Sequence, residues 1–275
     1  MFSFLREPRL VGLQVGSPEY FRVQGSLIQA RPLLKYCYDT WYREMVEANN
    51  GREFLPGEAL ELGSGGSLLS GFVPGLITSD VMEGVADRVI DGRHLPFQDG
   101  TLQAIFMTHT LHHIPDVSRF LREADRVLKP GGFVAMVEVA HTRFARLFFD
   151  RFHPEPYDDS APDWTFSQND SMMDSNQALS WMVFDRDRSR FAAEFPRFRV
   201  ERKKWLPWVT YLLGGGVTMR NLVPRFLTPG LIGLERLAVP LRPWMSLHWL
   251  LILRRLPCEG PDLNPGQRNA AAGRI

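Results

Sequence analysis

The sequence predicts an α/β protein built on a mostly parallel sheet, and three observations carry that reading. From about residue 58 to residue 140, short apolar runs alternate with segments of 3.6-residue apolar periodicity. Two of the runs, "LQAIFMTHTL" and "FVAMVEV", are almost unbroken in apolar residues, as strands covered on both faces must be. The first run, "ALEL", leads directly into a glycine cluster, "GSGGSLLSG", at the strand end where open α/β sheets bind ligands.

Bulk properties set limits. A chain of 275 residues can bury roughly three quarters of the surface its unfolded form exposes, enough for one large domain with an insertion. With 32 Lys and Arg against 31 Asp and Glu, the net charge of +1 gives no electrostatic reason to expect nucleic acid as partner. Cys37 and Cys258 lie far apart, and no Cys/His cluster has zinc-ligand spacing. That usage suits a reducing cytoplasm. The opening "MFSFLREPRLVG" lacks the sustained apolar core of a signal peptide, and no stretch reaches the ~18 uncharged apolar residues of a spanning helix. A cytoplasmic location is therefore expected.

The elements follow in order. "RPLLKYCYDTWYREMVEANNG" places Leu34, Cys37, Tyr38, Trp41, Tyr42 and Met45 on one helical stripe, closing at Asn50-Gly51 as a C-cap. "EALEL", "GLITSDV" and "RVID" read as short strands, and "LQAIFMTHTL" as a longer buried one. From Asp116, "DVSRFLREADRVL" sets Val117, Phe120, Leu121, Ala124, Val127 and Leu128 on one face, and "KPGG" is expected to stop that helix before the strand "FVAMVEV". Between Arg151 and Arg186 there is no Lys or Arg but there are seven acids, which reads as a loop or lid over the carboxyl edge of the sheet. "DRDRSRFAAEF" is a short helix, "RFRVERKKW" a strand and "LHWLLILRR" the last strand. The expected organisation is a helical cap over 1–52, a main domain over 53–256 with a lid at about 152–182 and an apolar insertion at about 206–246, and a disordered tail over 257–275.

The glycine cluster is not a dinucleotide fingerprint, because Leu68 stands where the third glycine should be. It is not a phosphate-binding P-loop either, since no Gly-Lys-Ser/Thr follows. What remains is a strand whose acid, Glu61, precedes Gly63 by two residues. An acid there suits a ligand with a cationic end, such as S-adenosylmethionine, and the glycines let the backbone come close to it.

With that, the chain resembles the class I S-adenosylmethionine-dependent methyltransferases over about residues 58–140. "LELGSGG" is similar to their glycine-rich motif and "LITSD" to their second strand. "VIDGRHLPFQDGTLQAIFMTHTLHHIPD" is similar to their Asp, Leu-Pro-Phe, strand and Leu-x-His run, and "FLREADRVLKPGGFVAMVE" to their helix, turn and fifth strand. The resemblance implies a Rossmann-like sheet with its last strand antiparallel, an N-terminal helical cap and a C-terminal helical insertion. It further implies that Glu61 and the Gly63, Ser64 and Gly65 backbone hold the methionine portion. By the same resemblance Asp80 takes the ribose hydroxyls, Asp91 with the Gly92 amide reads the adenine edge, and Thr108 and His109 line the wall near the sulfonium. Two departures stand out. Ser67 occupies the family's third glycine, and the Gly65–Asp80 interval is about one helical turn short, so the first helix should be stunted.

Each role has a plainer competitor: a bare tight turn for Gly63 and Gly65, a solvated loop acid for Asp80, an Asx turn before Gly92 for Asp91. His109, His112 and His113 follow a buried strand, and at least one of them is structural. His113 and His109 are the candidates for a general base, with an ordinary pKa near 6.5. His112 is the weaker one. No metal is expected at the three, because no fixed carboxylate accompanies them in sequence. Tyr38, Trp41 and Tyr42 read as core, with Tyr42 also a candidate contact to the cofactor. Trp164 and His153 are the candidate acceptor contacts of the acidic segment.

The function expected is methyl transfer from S-adenosylmethionine to a small-molecule acceptor, lipid- or glycan-linked. The alternative is a non-catalytic S-adenosylmethionine-binding or interaction protein on the same fold. A dinucleotide oxidoreductase is a distant third, against the glycine spacing. Across 205–246, "VERKKWLPWVTYLL" sets Arg202, Lys203 and Lys204 beside Trp205, Trp208 and Tyr211, and the apolar stretch beyond is broken by Arg225, Glu235, Arg236 and Arg242. That pattern suits helices packed on the sheet, a dimer interface, or a peripheral membrane contact with aromatics at headgroup depth.

Overall fold

A computed structural model describes residues 5–168, 174–221 and 223–257; most of the expected tail, with Cys258, lies outside them. Two helices open the chain, α1 (Pro18–Ala30) and α2 (Pro32–Val46), the first capped by the Ser17 hydroxyl, which accepts from the Tyr20 amide at 3.2 Å. The α2 stripe is buried as its periodicity requires, and Asn50 closes it in the left-handed region at φ 54°.

Four parallel strands follow: β1 (Ala59–Leu62), β2 (Ile77–Asp80), β3 (Arg88–Val89) and β4 (Leu102–Thr108). Between β1 and β2 there is one 3-10 turn, Leu69–Gly71, in place of a full helix, as the short interval demands. After α3 (Val117–Val127), capped by Asp116, comes β5 (Leu128–Val139). Here one expectation is corrected. Lys129 to Gly132 do not end the helix; they lie inside β5, and Gly132 has no room for a Cβ because carbonyls of Lys129 and Gln103 stand at 2.9 and 3.0 Å.

The remaining helices are α4 (Arg143–Phe152), the short α5 (Leu179–Trp181), which runs on as a π-turn, and α6 (Arg188–Glu194). Strand β6 (Phe198–Trp205) is followed by α7 (Val209–Leu213), α8 (Thr228–Leu237) and α9 (Arg242–Met245), and β7 (His248–Arg255) closes the sheet. Strand order is β3-β2-β1-β4-β5-β7-β6, with β7 antiparallel to both neighbours. This is the Rossmann-like sheet expected, its last strand reversed.

Alternation along β4 feeds two cores. Ile105 and Met107 pack with Phe120 and Leu121 of α3, while Ala104 and Phe106 pack toward Trp41 and Tyr42 of α2. The helical cap is thus fused to one face of the sheet rather than hung beside it. Its tightest contact is glycine on glycine. A Cβ on Gly66 would stand 2.6 Å from the Phe21 carbonyl and 2.7 Å from the Gly25 amide. Gly66→Ala should therefore destabilise by about 1–3 kcal/mol as overpacking against backbone. Gly71→Ala, which meets nothing within 4 Å, should leave stability nearly unchanged in the same urea titration. Equal midpoints for the two variants would show that the cap yields at no cost.

Candidate active site

The carboxyl ends of β1, β2 and β4 open into a cavity of about 360 Å³, roofed by α1, α2 and the α7–α8 connection, within the ~300–1,000 Å³ typical of small-molecule sites. Gly63 and Gly65 turn there with φ of 64° and 47°, a region that non-glycine residues rarely enter. A Cβ on Gly63 would collide with the Thr110 side chain at 2.5 Å, and one on Gly65 would press on the Phe21 ring at 3.0 Å. The turn is therefore glycine because walls stand on both sides of it.

Two carboxylates flank this turn. Asp80 accepts from the Gly65 and Met82 amides, each at 3.1 Å, which fixes its rotamer, while burial nudges its pKa upward. Glu61 is 1% exposed, and neither of its carboxylate oxygens has a hydrogen-bond partner. The nearby serines are occupied elsewhere: Ser64 Oγ with the Glu61 carbonyl and the Ser79 amide, Ser67 Oγ with the Tyr42 hydroxyl. Burial pushes the Glu61 carboxyl up to about 7; the nearby Ser67 and Ser64 hydroxyls, too poorly placed to bond it, oppose that rise, and the Asp80 charge adds to it.

Not every expected contact is free to act as expected. The Ser64 amide donates to the Ser79 carbonyl at 2.8 Å and the Gly65 amide to Asp80, so those two amides are spent inside the protein. Asp91 holds Arg93 in a two-pronged ion pair at 2.8–3.0 Å and caps its amide in an Asx turn. Asp91, Gly92 and Thr108 all line the cavity, and the Thr108 hydroxyl has no partner. Tyr42 also lines it and accepts from the Leu68 amide at 3.2 Å, tying the cap to the glycine turn.

The histidines are ordered differently from the sequence reading. His109 sits at φ 57° with its ring among Trp41, His112 and His248, and its Nε2 has no partner. Burial lowers it to about 4. Burial and the neighbouring His112 charge likewise lower His113 to about 4. His112, the weaker candidate in sequence, is the hub. Its Nδ1 lies 2.6 Å from Glu138 Oε2, and its Nε2 lies 3.5 Å from Glu155 Oε2. Burial opposes its charge, but the two carboxylates outweigh burial and hold it up to about 10. The reason for expecting no metal is thus corrected: two carboxylates from distant segments do accompany these histidines. Glu138 was visible as the one charge in the apolar run "FVAMVEV". Glu155 had no signal beyond membership of an acidic loop.

In that loop His153 lines the cavity, but Trp164 does not serve as an acceptor contact. It is fully buried, its Nε1 donating to Asp187 at 2.8 Å and its ring lying under the Arg190 guanidinium. Residues 169–173 of the expected lid lie outside the described residues.

The site thus lies on an open, Rossmann-like sheet, with an acid and a left-handed glycine turn at the end of its first strand. Residues 77–136 match a family model described as a methyltransferase domain. Over 61 residues the chain is 38% identical to methyltransferase GfsG of Streptomyces halstedii, and over 58 residues 36% identical to the 27-O-demethylrifamycin SV methyltransferase of Amycolatopsis mediterranei. The first match takes in 21% of this chain and 22% of that relative, the second 21% of each. The matched segment thus spans about a fifth of the length of these relatives. Among solved structures, a geranyl diphosphate C-methyltransferase from Streptomyces coelicolor overlies 92% of this chain and 89% of its own, at 13% identity and a TM-score of 0.48. Over residues 77–136 and their flanks the chain is thus similar to methyltransferase domains.

A buried carboxylate without a partner costs folding stability, and the sign follows from its pKa. The Glu61 pKa is raised on folding from 4.5 to about 7, so stability present below pH 4.5 is lost as pH rises through 7. Cofactor-free Glu61→Gln should match wild type near pH 4.5 and exceed it at pH 8 by up to about 3 kcal/mol, at 1.36 kcal/mol per unit. Denaturant titrations at the two pH values check this, and a variant no more stable at pH 8 would place a hidden donor on Glu61.

Proposed function

We propose that this chain moves the methyl group of S-adenosylmethionine to an oxygen, nitrogen or carbon of a small, largely apolar acceptor. The observation that carries the reading is the buried, unpartnered Glu61 carboxylate beside the Gly63–Gly65 turn, with Asp80 fixed opposite. Such a pair fits a ligand with an ammonium at one end and paired hydroxyls further along. Glu61 would hold the ammonium, Asp80 the ribose hydroxyls, and Asp91 with Gly92 the adenine edge, while the Thr108 hydroxyl borders the sulfur. When bound, the cofactor supplies an electrophilic methyl carbon on a positively charged sulfur. In the transfer the acceptor's lone pair bonds to that carbon, the C–S bond breaks, its electron pair stays on sulfur, and the acceptor's proton is released.

The protein's share is alignment and exclusion of water. Phe148, Phe149 and Tyr211 make an apolar wall on the acceptor side, and Arg93, bound to Asp91, is the one Lys or Arg among the described lining residues. A polyanionic acceptor would find no free cation there. His109, neutral through the physiological range and with its Nε2 unpartnered, serves as a hydrogen-bond acceptor toward the incoming group. Residues 1–52 act as the cap, and the segment over 152–182 as the lid.

Calorimetry with S-adenosylhomocysteine tests the site. Asp80→Ala should weaken binding by roughly one to two orders of magnitude, since each charge-assisted hydrogen bond is worth about 1.5–3 kcal/mol. Wild-type affinity should fall about tenfold from pH 8 to pH 6, as Glu61 protonates, and Glu61→Gln should abolish that dependence. Affinity within twofold for Asp80→Ala, or binding of NAD instead, would sink the reading. Methyl-labelled donor incubated with fractionated extract then names the acceptor, and binding without transfer to any fraction favours a non-catalytic role.

We further propose that the acceptor comes from a membrane surface in the cytoplasm. No described helix is long and apolar enough to cross a membrane. The aromatics expected to touch one are turned inward, Trp205 stacking on Trp249 at 5.6 Å and Tyr211 on Trp41 at 5.5 Å, while the exposed Lys203 and Lys204 are paired with Asp185 and Glu44. The outer face of the insertion carries a different set, with Phe226 and Leu237 79% exposed and Trp244 57% exposed. Residues 206–246 contain one acid, Glu235, and it is buried against Arg242, so their exposed charges are Arg220, Arg225 and Arg236. Apolar groups ringed by cations suit anionic lipid. Sedimentation with anionic vesicles should fall as salt rises, and should drop more for a Phe226/Leu237/Trp244 triple alanine than for Trp205→Ala. Full recovery in the supernatant at low salt would leave a water-borne acceptor, and salt-independent self-association would make the face a dimer contact.

A further inference from the structure

We propose a divalent transition-metal site on the cavity floor, formed by His112 Nε2, His113 Nε2 and Glu155 Oε2. The tautomers point that way. His112 gives its Nδ1 proton to Glu138 Oε2 at 2.6 Å, because Glu138 is ionised and its other oxygen already accepts the Thr110 and Leu111 amides. His113 Nδ1 faces the Asp174 carbonyl at 3.4 Å, and a carbonyl can only accept. Both Nε2 atoms face the same carboxylate oxygen, and an ion bound there would replace the proton that His112 otherwise carries toward Glu155.

Glu155 Oε2 also accepts from Gln177 Nε2, which holds the carboxylate toward the two rings. The spacing fits an ion. His112 and His113 Nε2 stand 3.5 and 3.7 Å from Glu155 Oε2, long for a hydrogen bond, and the three ligand atoms lie within 4.8 Å of one another. Two ligands about 2.1 Å from one tetrahedral ion lie about 3.4 Å apart. The donor set of two imidazoles and a carboxylate selects a first-row ion such as zinc over magnesium or calcium, which prefer all-oxygen sites. Glu138 behind His112 is the carboxylate–histidine–metal arrangement that orients a ligand from the second sphere.

All three ligands line the cavity, so the ion's open position faces the acceptor side. Resting on the methyl-transfer reading above, this names the acceptor group as an oxygen: a hydroxyl, phenol or enol that the ion binds and whose loss of a proton it eases.

The test uses the full chain, stripped with chelator and titrated with zinc chloride by calorimetry, with cobalt(II) substitution read by its visible absorption. One equivalent should bind and cobalt should give a tetrahedral spectrum. His113→Ala and Glu155→Gln should each weaken binding at least a hundredfold, and Glu138→Gln 10–100-fold. S-adenosylhomocysteine titrated into the same samples separates the two readings. Variants that keep cofactor affinity but lose zinc support the site. Zinc binding that is absent, or that survives in His113→Ala and Glu155→Gln, overturns it and leaves the proton on His112 in place. Loss of cofactor binding in wild type would overturn the methyltransferase reading while leaving the zinc result standing.

Discussion

The buried carboxylate of Glu138 is the interaction on which the site depends. It is fully inaccessible, in the middle of an apolar strand, and survives as a charge because it takes two backbone amides and the His112 ring. Those bonds fix the loop after β4 in one conformation. The same loop carries Thr110, whose side chain fills the space that makes Gly63 glycine and whose hydroxyl donates to the Leu62 carbonyl at 3.1 Å. One charge therefore sets both halves of the cavity: the glycine turn on one side and the histidine cluster on the other.

The cavity is polarised along its length as a result. At the β1–β2 end stand the Glu61 and Asp80 carboxylates, Asp80 lining the cavity. Toward α4 and α7 the lining becomes aromatic, with His109 and His248 buried as neutral rings. Keeping those rings uncharged while His112 is held between two carboxylates is a matter of distance to the nearest acid, not of residue type. Glu155 and Gln177, both from the stretch between α4 and α5, complete the floor, so this acidic segment is part of the cavity wall itself.

The insertion shows the opposite economy. Its inner side closes the cavity through Tyr211 and Gly216, while Glu235 is buried to hold Thr210 and Arg242. That leaves the outer side apolar and cationic. A loop with only internal duties would present polar residues to water, and this one does not.

The strand segments, the α2 stripe, the stunted first crossover and the glycine turn were legible in the chain, because each rests on local rules: periodicity, φ requirements and the number of residues available between two strands. Glu61 and Asp80 were legible for the same reason, each being tied to a strand end. What the sequence could not rank was the histidines. His109, His112 and His113 are neighbours in the chain, but their roles are set by Glu138, 26 residues on from His112, and by Glu155, 43 residues on, which only chain crossing brings together. Trp164 and Trp205 misled likewise, since an aromatic in a polar segment is lipid-facing, substrate-facing or core according to what packs over it. Local propensity determined the frame and its cofactor end; burial and the convergence of distant charges, which exist only in the folded chain, decided the chemistry at the other.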